Sequence, residues 1–563
     1  MKVSLKFSDR GLESLLIVFI FLAILLRILN LGARELWYDE VLSLLLSTGQ
    51  KIHYQTPGTT PVALADYAAL LRLPTEASLG QGLATLKNVL RGVVGGEPHP
   101  PLFFLTQHVW FRLHGATEAS LRSLGVLISA AAMGGSYGLG RLLMRHRGGL
   151  ILAALLALNP FYLFHSLNLR MYGPIVLWVI LSAWAMLHLA LSKDSQDWRE
   201  KGLWNGLLIG SIAAGLLTFY LFVHWLVVLT VLALYLDRHR WRQHALRIGA
   251  GVLLALPWFL WGLPQQLNNA DLDRFSAASH WFSTLSQHFQ NTFTTLGVHL
   301  LFGDWGGTVP ASLLVVAGIG AVALVGAMSA RLVKQGKASL LVIALIMGLF
   351  PLLMALGADI LTGKFTFAWG LGRVVIFTLP GNLLLLTVCL ENLANPWRKG
   401  AVVSLLALYL VIGMGDFSFR GRQMFHTVND WVMQAPETRT LLVMNSKAWG
   451  NVLRLAYYID PEANVDLLAA HPADLADSLR QTLRDRPSDY QRVLWLHAAR
   501  SVWKEPETEE EARQIEQAVG EVLQGDHQLV REDSLSGTMT LDQFSLNLYE
   551  PALVGLSEEG NRT

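Results

Sequence analysis

The sequence predicts a polytopic α-helical membrane protein with amphipathic interfacial helices in its first outer loop and a soluble α/β domain at its C-terminal end. Three observations carry that prediction. Only 15% of the 563 residues are charged and 52% are hydrophobic, with a mean hydropathy of +0.40, whereas ordinary soluble domains carry about 25% charged residues. Apolar runs long enough to cross a bilayer recur through the first three quarters of the chain, and from about residue 417 the composition turns soluble. A soluble enzyme, a disordered scaffold and a collagen are excluded. Lys plus Arg (44) nearly balance Asp plus Glu (42), so no field of clustered cations exists to neutralise a nucleic acid. The single cysteine, Cys389, lies in an apolar run without an intrachain partner, which rules out a disulfide or CxxC metal framework.

A bilayer core of about 30 Å needs roughly 20 apolar residues per helical pass. By that ruler the first pass covers residues 12–31. Its flank MKVSLKFSDR is basic like a signal peptide, but the apolar stretch is long and no small-residue cleavage site follows, so it reads as a retained helix. Further passes fall near 121–143, 149–165, 173–192, 203–220, 221–236, 247–263, 309–330, 338–357, 374–392 and 400–415, about eleven in all. Every second connection is basic: the N-terminus with 141–147, 193–201, 237–247, 330–337 and 396–399 holds eighteen Lys or Arg, while the alternate short connections hold Arg170, Arg274, Lys364 and Arg373. Cationic loops stay cytoplasmic, which puts the N-terminus inside and, after an odd number of passes, the C-terminal segment outside. Residues 1–416 therefore form the membrane domain and 417–563 an extracytoplasmic domain. In the latter LLVMN, VDLLAA and RVLWLHA read as strands between helical stretches such as DLADSLRQTLRD and EEEARQIEQAVGEVLQ.

The long outer loop 32–120 contains short amphipathic stretches such as HPPLFFLTQHVWFRLHG, suited to lie in the interface, and 264–308 forms a second outer loop. Several ionisable groups gather on this face. Asp39–Glu40, directly after the first pass, point about 100° apart on a helix, so each needs its own partner; the bland reading is a first-turn acid pair answering the dipole of the VLSLLLS helix. Glu97 and His99 sit in GGEPHPPL, where prolines hold an extended entry. Arg170 and Tyr172 occupy HSLNLRMYG; an arginine fork matches phosphate oxygens but also snorkels to lipid headgroups. Lys364 and Arg373 in KFTFAWGLGRVV, Arg122 in EASLRSLGVL and His224 in FYLFVHWL invite the same pair of readings. GxG strings near 135–140 and 315–320 fall inside passes and read as packing glycines. No P-loop, Rossmann fingerprint, GxSxG or HExxH occurs.

Taken in order, WYDE after the first pass, HPPLFFLTQHVWFRLHG followed by ATEASLRSLGVL, then NPFYLFHSLNLRMYG, and last GRVVIFTLPGNLLLL resemble the motifs of the GT-C membrane glycosyltransferases. Within these, the likeness is to the family 39 and 83 branch of protein O-mannosyltransferases and aminoarabinose transferases, over roughly residues 12–415. The resemblance implies the GT-C fold and an inverting transfer of a sugar from a polyprenyl-monophosphate donor to a hydroxyl at the extracytoplasmic face of a bacterial inner or plasma membrane. On that analogy Asp39 is the catalytic base, and Glu40 orients it or binds the acceptor. Arg170, Tyr172, Arg373, His99 and Arg122 hold the donor phosphate, and Glu97, His224 and Lys364 contact acceptor or sugar. Val374 stands where the family commonly has tyrosine, and His99 where many members have lysine.

The implied partners are the lipid-linked sugar, membrane lipids, and a glycan, lipid or protein acceptor. No cofactor is required by these residues; Mg²⁺ or Mn²⁺ between the acidic pair and the donor phosphate is compatible with them, although no cluster has the ligand count of a structural metal site. The alternative is a transporter or flippase of lipid-linked sugars, which would place charge near the bilayer midplane in repeated halves; here the ionisable groups collect at one surface.

Overall fold

The computed structural model describes residues 9–192, 198–269, 281–367, 369–419, 423–445, 448–486, 489–498, 508–537 and 542–552. Lys2, Lys6, Lys193 and Arg274 of the charge pattern lie outside them. The chain divides into two compact units, Met1–Ala33 with Val89–Phe419 and Arg34–Asn88 with Arg420–Thr563. The loop expected at 32–120 is thus shared between them.

The first unit is helical. Among the described residues, eight continuous helical stretches of the chain are long and apolar enough to cross a membrane, and each hydropathy segment falls on a helix of this unit. Two of these stretches are double. Glu118–Leu158 runs 41 residues, about 60 Å at 1.5 Å per residue and twice a bilayer core; it turns at Arg145, whose φ is 65° and ψ −170°. Phe222–Asn268 is broken by the tight turn Arg238–Arg240. Close helix packing explains the glycines of the passes: a Cβ on Gly138 would overlap the Trp184 ring at 2.3 Å, and one on Gly318 would meet the Phe293 carbonyl at 2.0 Å. The basic connection 141–147 is also a joint, since Arg147 grips the Glu391 carboxylate with bonds of 2.6, 3.0 and 3.1 Å. One boundary differs from expectation. The helix Trp241–Asn268 continues through Pro257 and Pro264, past the point where the second outer loop was expected; membrane helices tolerate internal prolines.

The second unit is α/β. Its sheet comprises β1 (Val62–Ala63), β2 (Thr440–Met444), β3 (Val465–Ala469), β4 (Arg492–Ala498), β5 (His527–Ser536) and β6 (Gln543–Pro551), in the order β1-β3-β2-β4-β6-β5. β2 runs parallel to both β3 and β4, while β1, β6 and β5 pair antiparallel. The three parallel strands are buried along their whole length, which is why they read as unbroken apolar runs. Leu441, Val443, Leu468 and Trp495 form the core with Leu475 and Leu479 of the helix Pro472–Asp485 and Ile515, Val519 and Leu523 of the helix Glu509–Asp526. Residues 34–88 join this unit through local bonds. Val62 pairs with Leu467, Leu36 N–H donates to the Tyr458 hydroxyl at 2.5 Å, and Gly450 lies so close under the Tyr38 ring that a Cβ would sit 2.6 Å from it.

Candidate functional site

Five of the residues singled out above converge in the first unit. Pro98, Pro100 and Pro101 lie in the bent link between the helices Leu79–Val94 and Leu102–His114, not the extended entry expected, with Pro101 itself in helical conformation (φ −82°, ψ −18°), and Glu97 and His99 stand on this link. Arg170 reaches Glu97 from the turn between the helices Pro160–Ser166 and Tyr172–Leu191; Nη1 lies 3.3 Å from Oε2 and Nη2 3.4 Å from Oε1. His99 Nδ1 pairs with the same carboxylate. Glu97 and Arg170 are buried, at 6% and 5% exposure, so the pair is poorly screened by solvent. Burial by itself would raise the Glu97 carboxyl, but Arg170, then His99, reverse this and draw it down to about 2. It is ionised at any physiological pH.

Aromatic rings connect this ion network to a second arginine. The His99 ring stacks on Phe219 with centroids 5.5 Å apart, Tyr172 meets Phe219 edge-on at 6.4 Å, and the Arg373 guanidinium lies 5.8 Å from the Tyr172 centroid, within cation–π range. Arg373 is presented by a tight coil, Trp369–Thr378, in which Gly370, Leu371 and Gly372 all have positive φ, 56°, 58° and 83°. A Cβ on Gly370 would sit 2.4 Å from Arg373 Nε, so only glycine lets the side chain fold back here. Leu371 is held in a conformation costly for its residue type, and such strain persists where surrounding structure over-determines it. One support is His299, fully buried, whose Nε2 donates to the Gly372 carbonyl at 3.0 Å. Burial holds that imidazole down at about 4, hence neutral.

The link carrying Glu97 has a support that the sequence did not announce. Gln266 Nε2 lies within bonding distance of the carbonyls of Val93 (3.2 Å), Glu97 (2.5 Å) and His99 (2.9 Å). Its own oxygen accepts the Tyr220 hydroxyl, which accepts Trp258 Nε1 at 2.9 Å. A chain of side chains from the helices beside it therefore fixes a link whose three prolines have no N–H to give.

The remaining predicted residues have contacts of their own. Arg122 is buried and donates to the Leu31 carbonyl at 3.2 Å, just past the first helix. His224 bonds the Leu221 carbonyl at 3.1 Å and stacks on Phe377 at 5.9 Å, a satisfied helix-end histidine. Lys364 closes the turn after Leu349–Thr362 through its backbone N–H, which donates to the Asp359 carbonyl at 3.1 Å. Asp39 and Glu40 belong to the second unit, in the first turn of the helix Tyr38–Thr48. Glu40 is buried and accepts the Trp37 N–H at 3.1 Å, a capping bond; Asp39 is half-buried and its carbonyl accepts the Ser43 hydroxyl at 3.1 Å. No three His, Cys, Asp or Glu gather in a metal-binding group among the described residues.

Residues 98–261 match the family described as Dolichyl-phosphate-mannose-protein mannosyltransferase. Among solved structures, the crystal structure of ArnT from Cupriavidus metallidurans bound to undecaprenyl phosphate aligns over 95% of this chain and 98% of its own, with TM-score 0.51 at 11% identity. The apo form of that protein aligns over the same shares with TM-score 0.43 at 12% identity. The Archaeoglobus fulgidus oligosaccharyltransferase, in complex with Zn and sulfate, aligns over 85% of this chain and 67% of its own, with TM-score 0.44 at 12% identity. No curated protein sequence matches. The chain thus shares the fold of ArnT, and its residues 98–261 are similar to the dolichyl-phosphate-mannose-protein mannosyltransferase family.

Proposed function

We propose that the protein is an inverting glycosyltransferase that moves a sugar from a polyprenyl monophosphate to an acceptor hydroxyl at the extracytoplasmic membrane face. The observation that carries the reading is the buried network of Arg170, His99 and Glu97, joined through Phe219 and Tyr172 to Arg373. Two guanidiniums held in advance by fixed partners suit a leaving phosphate, because donors that need no reorganisation stabilise developing charge best in a dry site. That a protein of the same fold was crystallised with undecaprenyl phosphate supports this choice of donor. Sidedness rests on the lysine and arginine asymmetry of the connections.

In the reaction the acceptor oxygen attacks the anomeric carbon from the face opposite the phosphate. The C–O bond to phosphate breaks, its electron pair stays with the lipid phosphate, and the acceptor proton passes to Asp39. Glu40 orients that turn or binds the acceptor. Glu97, engaged by Arg170 and His99, holds the phosphate-binding arginine in place. Arg122 serves the donor phosphate, and His224 and Lys364 the acceptor or sugar. Any divalent cation would rest on Asp39 or Glu40 and on substrate oxygens.

The test uses purified protein and a labelled polyprenyl-phosphate sugar, with release of lipid phosphate as readout. Wild type should release it in the presence of a hydroxyl acceptor, and Asp39→Asn should not. Equal turnover by the variant would remove Asp39 as base. Movement of the lipid between leaflets of proteoliposomes with no release would replace the transferase by a flippase.

A further inference from the structure

A guanidinium that the mechanism does not use is buried in the first helix. Arg27 has no exposed surface, and among the described residues no carboxylate pairs with it. Instead Nη1 donates to the Ala23 carbonyl at 3.0 Å and the Ala157 carbonyl at 2.8 Å, and Nε donates to Ser166 Oγ at 3.0 Å. Its Cζ lies 5.6 Å from the Tyr162 ring centre. A cation in such a place is costly, and a residue that merely filled the space would be apolar. Its bonds follow a pattern. Ala157 is at the end of the helix Glu118–Leu158, immediately before the short helix Pro160–Ser166, and Ser166 is the last residue of that short helix. The guanidinium thus ties the last turn of the helix Glu118–Leu158 to the final residue of the seven-residue helix that follows it. Four residues after Ser166 comes Arg170, and Tyr172 opens the next helix.

The same short helix is held tightly from other sides. A Cβ on Gly125 would lie 2.4 Å from the Ser166 carbonyl and one on Gly173 would lie 3.5 Å from its Cα. At the other end Asn159 caps it, its Oδ1 accepting Tyr162 N–H at 2.9 Å and its Nδ2 donating to the His299 carbonyl at 2.8 Å. His165, buried on this helix, faces the Tyr172 ring at 5.2 Å. The turn bearing Arg170 therefore has one anchored end, and Arg27 is the charged part of that anchor.

We infer that Arg27 is a positioning residue for the donor-phosphate site: by tying the end of the helix Glu118–Leu158 to Ser166, the last residue of the helix Pro160–Ser166, it sets where Arg170 and Tyr172 stand. The inference rests on the transferase reading above. A geometric error of about 1 Å at such a site costs up to roughly a hundredfold. Arg27→Met, which keeps bulk and removes the bonds, should raise the KM for the polyprenyl-phosphate sugar by roughly ten- to a hundredfold while the acceptor KM holds. Arg27→Lys, able to reach only part of the acceptor set, should recover some of that loss. Ser166→Ala removes the Nε bond, together with the hydroxyl's own bond to the Leu163 carbonyl at 3.1 Å, and should shift donor KM in the same direction by less.

A donor KM unchanged in Arg27→Met, or an equal rise in both KM values, overturns the inference. If Arg27→Met does not fold, Ser166→Ala decides, and an unchanged donor KM there overturns it. If wild type neither binds nor uses a polyprenyl phosphate, the transferase reading fails separately. Positioning is then read from backbone hydrogen exchange across residues 167–172. Ser166→Ala should speed that exchange, and equal protection in variant and wild type overturns the inference.

Discussion

In the turn Trp37–Glu40 a buried glutamate accepts a backbone N–H three residues back at 3.1 Å, whereas in the link at residues 97–101 a buried glutamate holds an arginine from 73 residues downstream. Both carboxylates are nearly inaccessible, Glu40 at 1% and Glu97 at 6%. The first completes the start of a helix, a local task that any cap could perform. The second neutralises a cation that would otherwise be stranded, and so links two distant segments of chain. The lesson is that partner, not burial, separates a folding carboxylate from one that organises a site. Asp39, half-buried beside Glu40, is the acid whose side chain the cap does not require.

The largest effect is expected at Asp39, where Asn should lower transfer by about 10²–10⁴ with donor binding retained, while Glu40→Ala should leave turnover within roughly tenfold of wild type; steady-state rates with both variants check it, and the reverse ranking would exchange their roles. Next comes Arg170→Ala. It leaves the buried Glu97 with His99 as its remaining charged partner and should cost about 3 kcal/mol of stability, measured by denaturant unfolding in detergent, with part of the loss regained when Glu97→Gln is added.

A third expectation concerns acid. Because the Glu97 carboxyl is drawn down from 4.5 to about 2, its contribution to stability is complete above pH 4.5 and is lost as pH falls through the folded value near 2. Glu97→Gln should flatten the acid limb of the unfolding curve in that window by roughly 1–3 kcal/mol; an acid limb as steep as wild type would show that other groups control it. The smallest effect is the cap itself. Glu40→Ala should lower stability by about 1 kcal/mol, seen as a small drop in melting temperature that does not depend on pH near neutrality.

Much of the fold was legible from local pattern. Passes such as 173–192 and 203–220 could be placed because burying a polar backbone in lipid enforces a long apolar helix, and Leu441–Asn445, Val465–Ala470 and Arg492–Ala498 could be placed as strands because a parallel strand is apolar on both faces. Other strands left no such mark. β5 is almost wholly exposed and reads His-Gln-Leu-Val-Arg-Glu-Asp, and β1 is two residues whose identity depends on pairing with Leu467 and Asp466 some four hundred positions away. In the site, residue types betrayed Glu97, His99, Arg170, Tyr172 and Arg373. Gln266, Phe219, His299 and Arg27 gave no sign, since an amide in a helix end, a phenylalanine in a pass and a basic residue near an interface are all ordinary.

Composition alone dictates that this chain enters a bilayer and which stretches do so, because transfer free energies act residue by residue and leave a record in the pattern. Folding in three dimensions is what brings Glu97 to Arg170, sets Gln266 against the proline link and lets Arg27 tie Ala157 to Ser166. Those contacts depend on distances between segments far apart in the chain, and a hydrogen bond or ion pair falls away within an ångström or two, so nothing in local pattern can specify them.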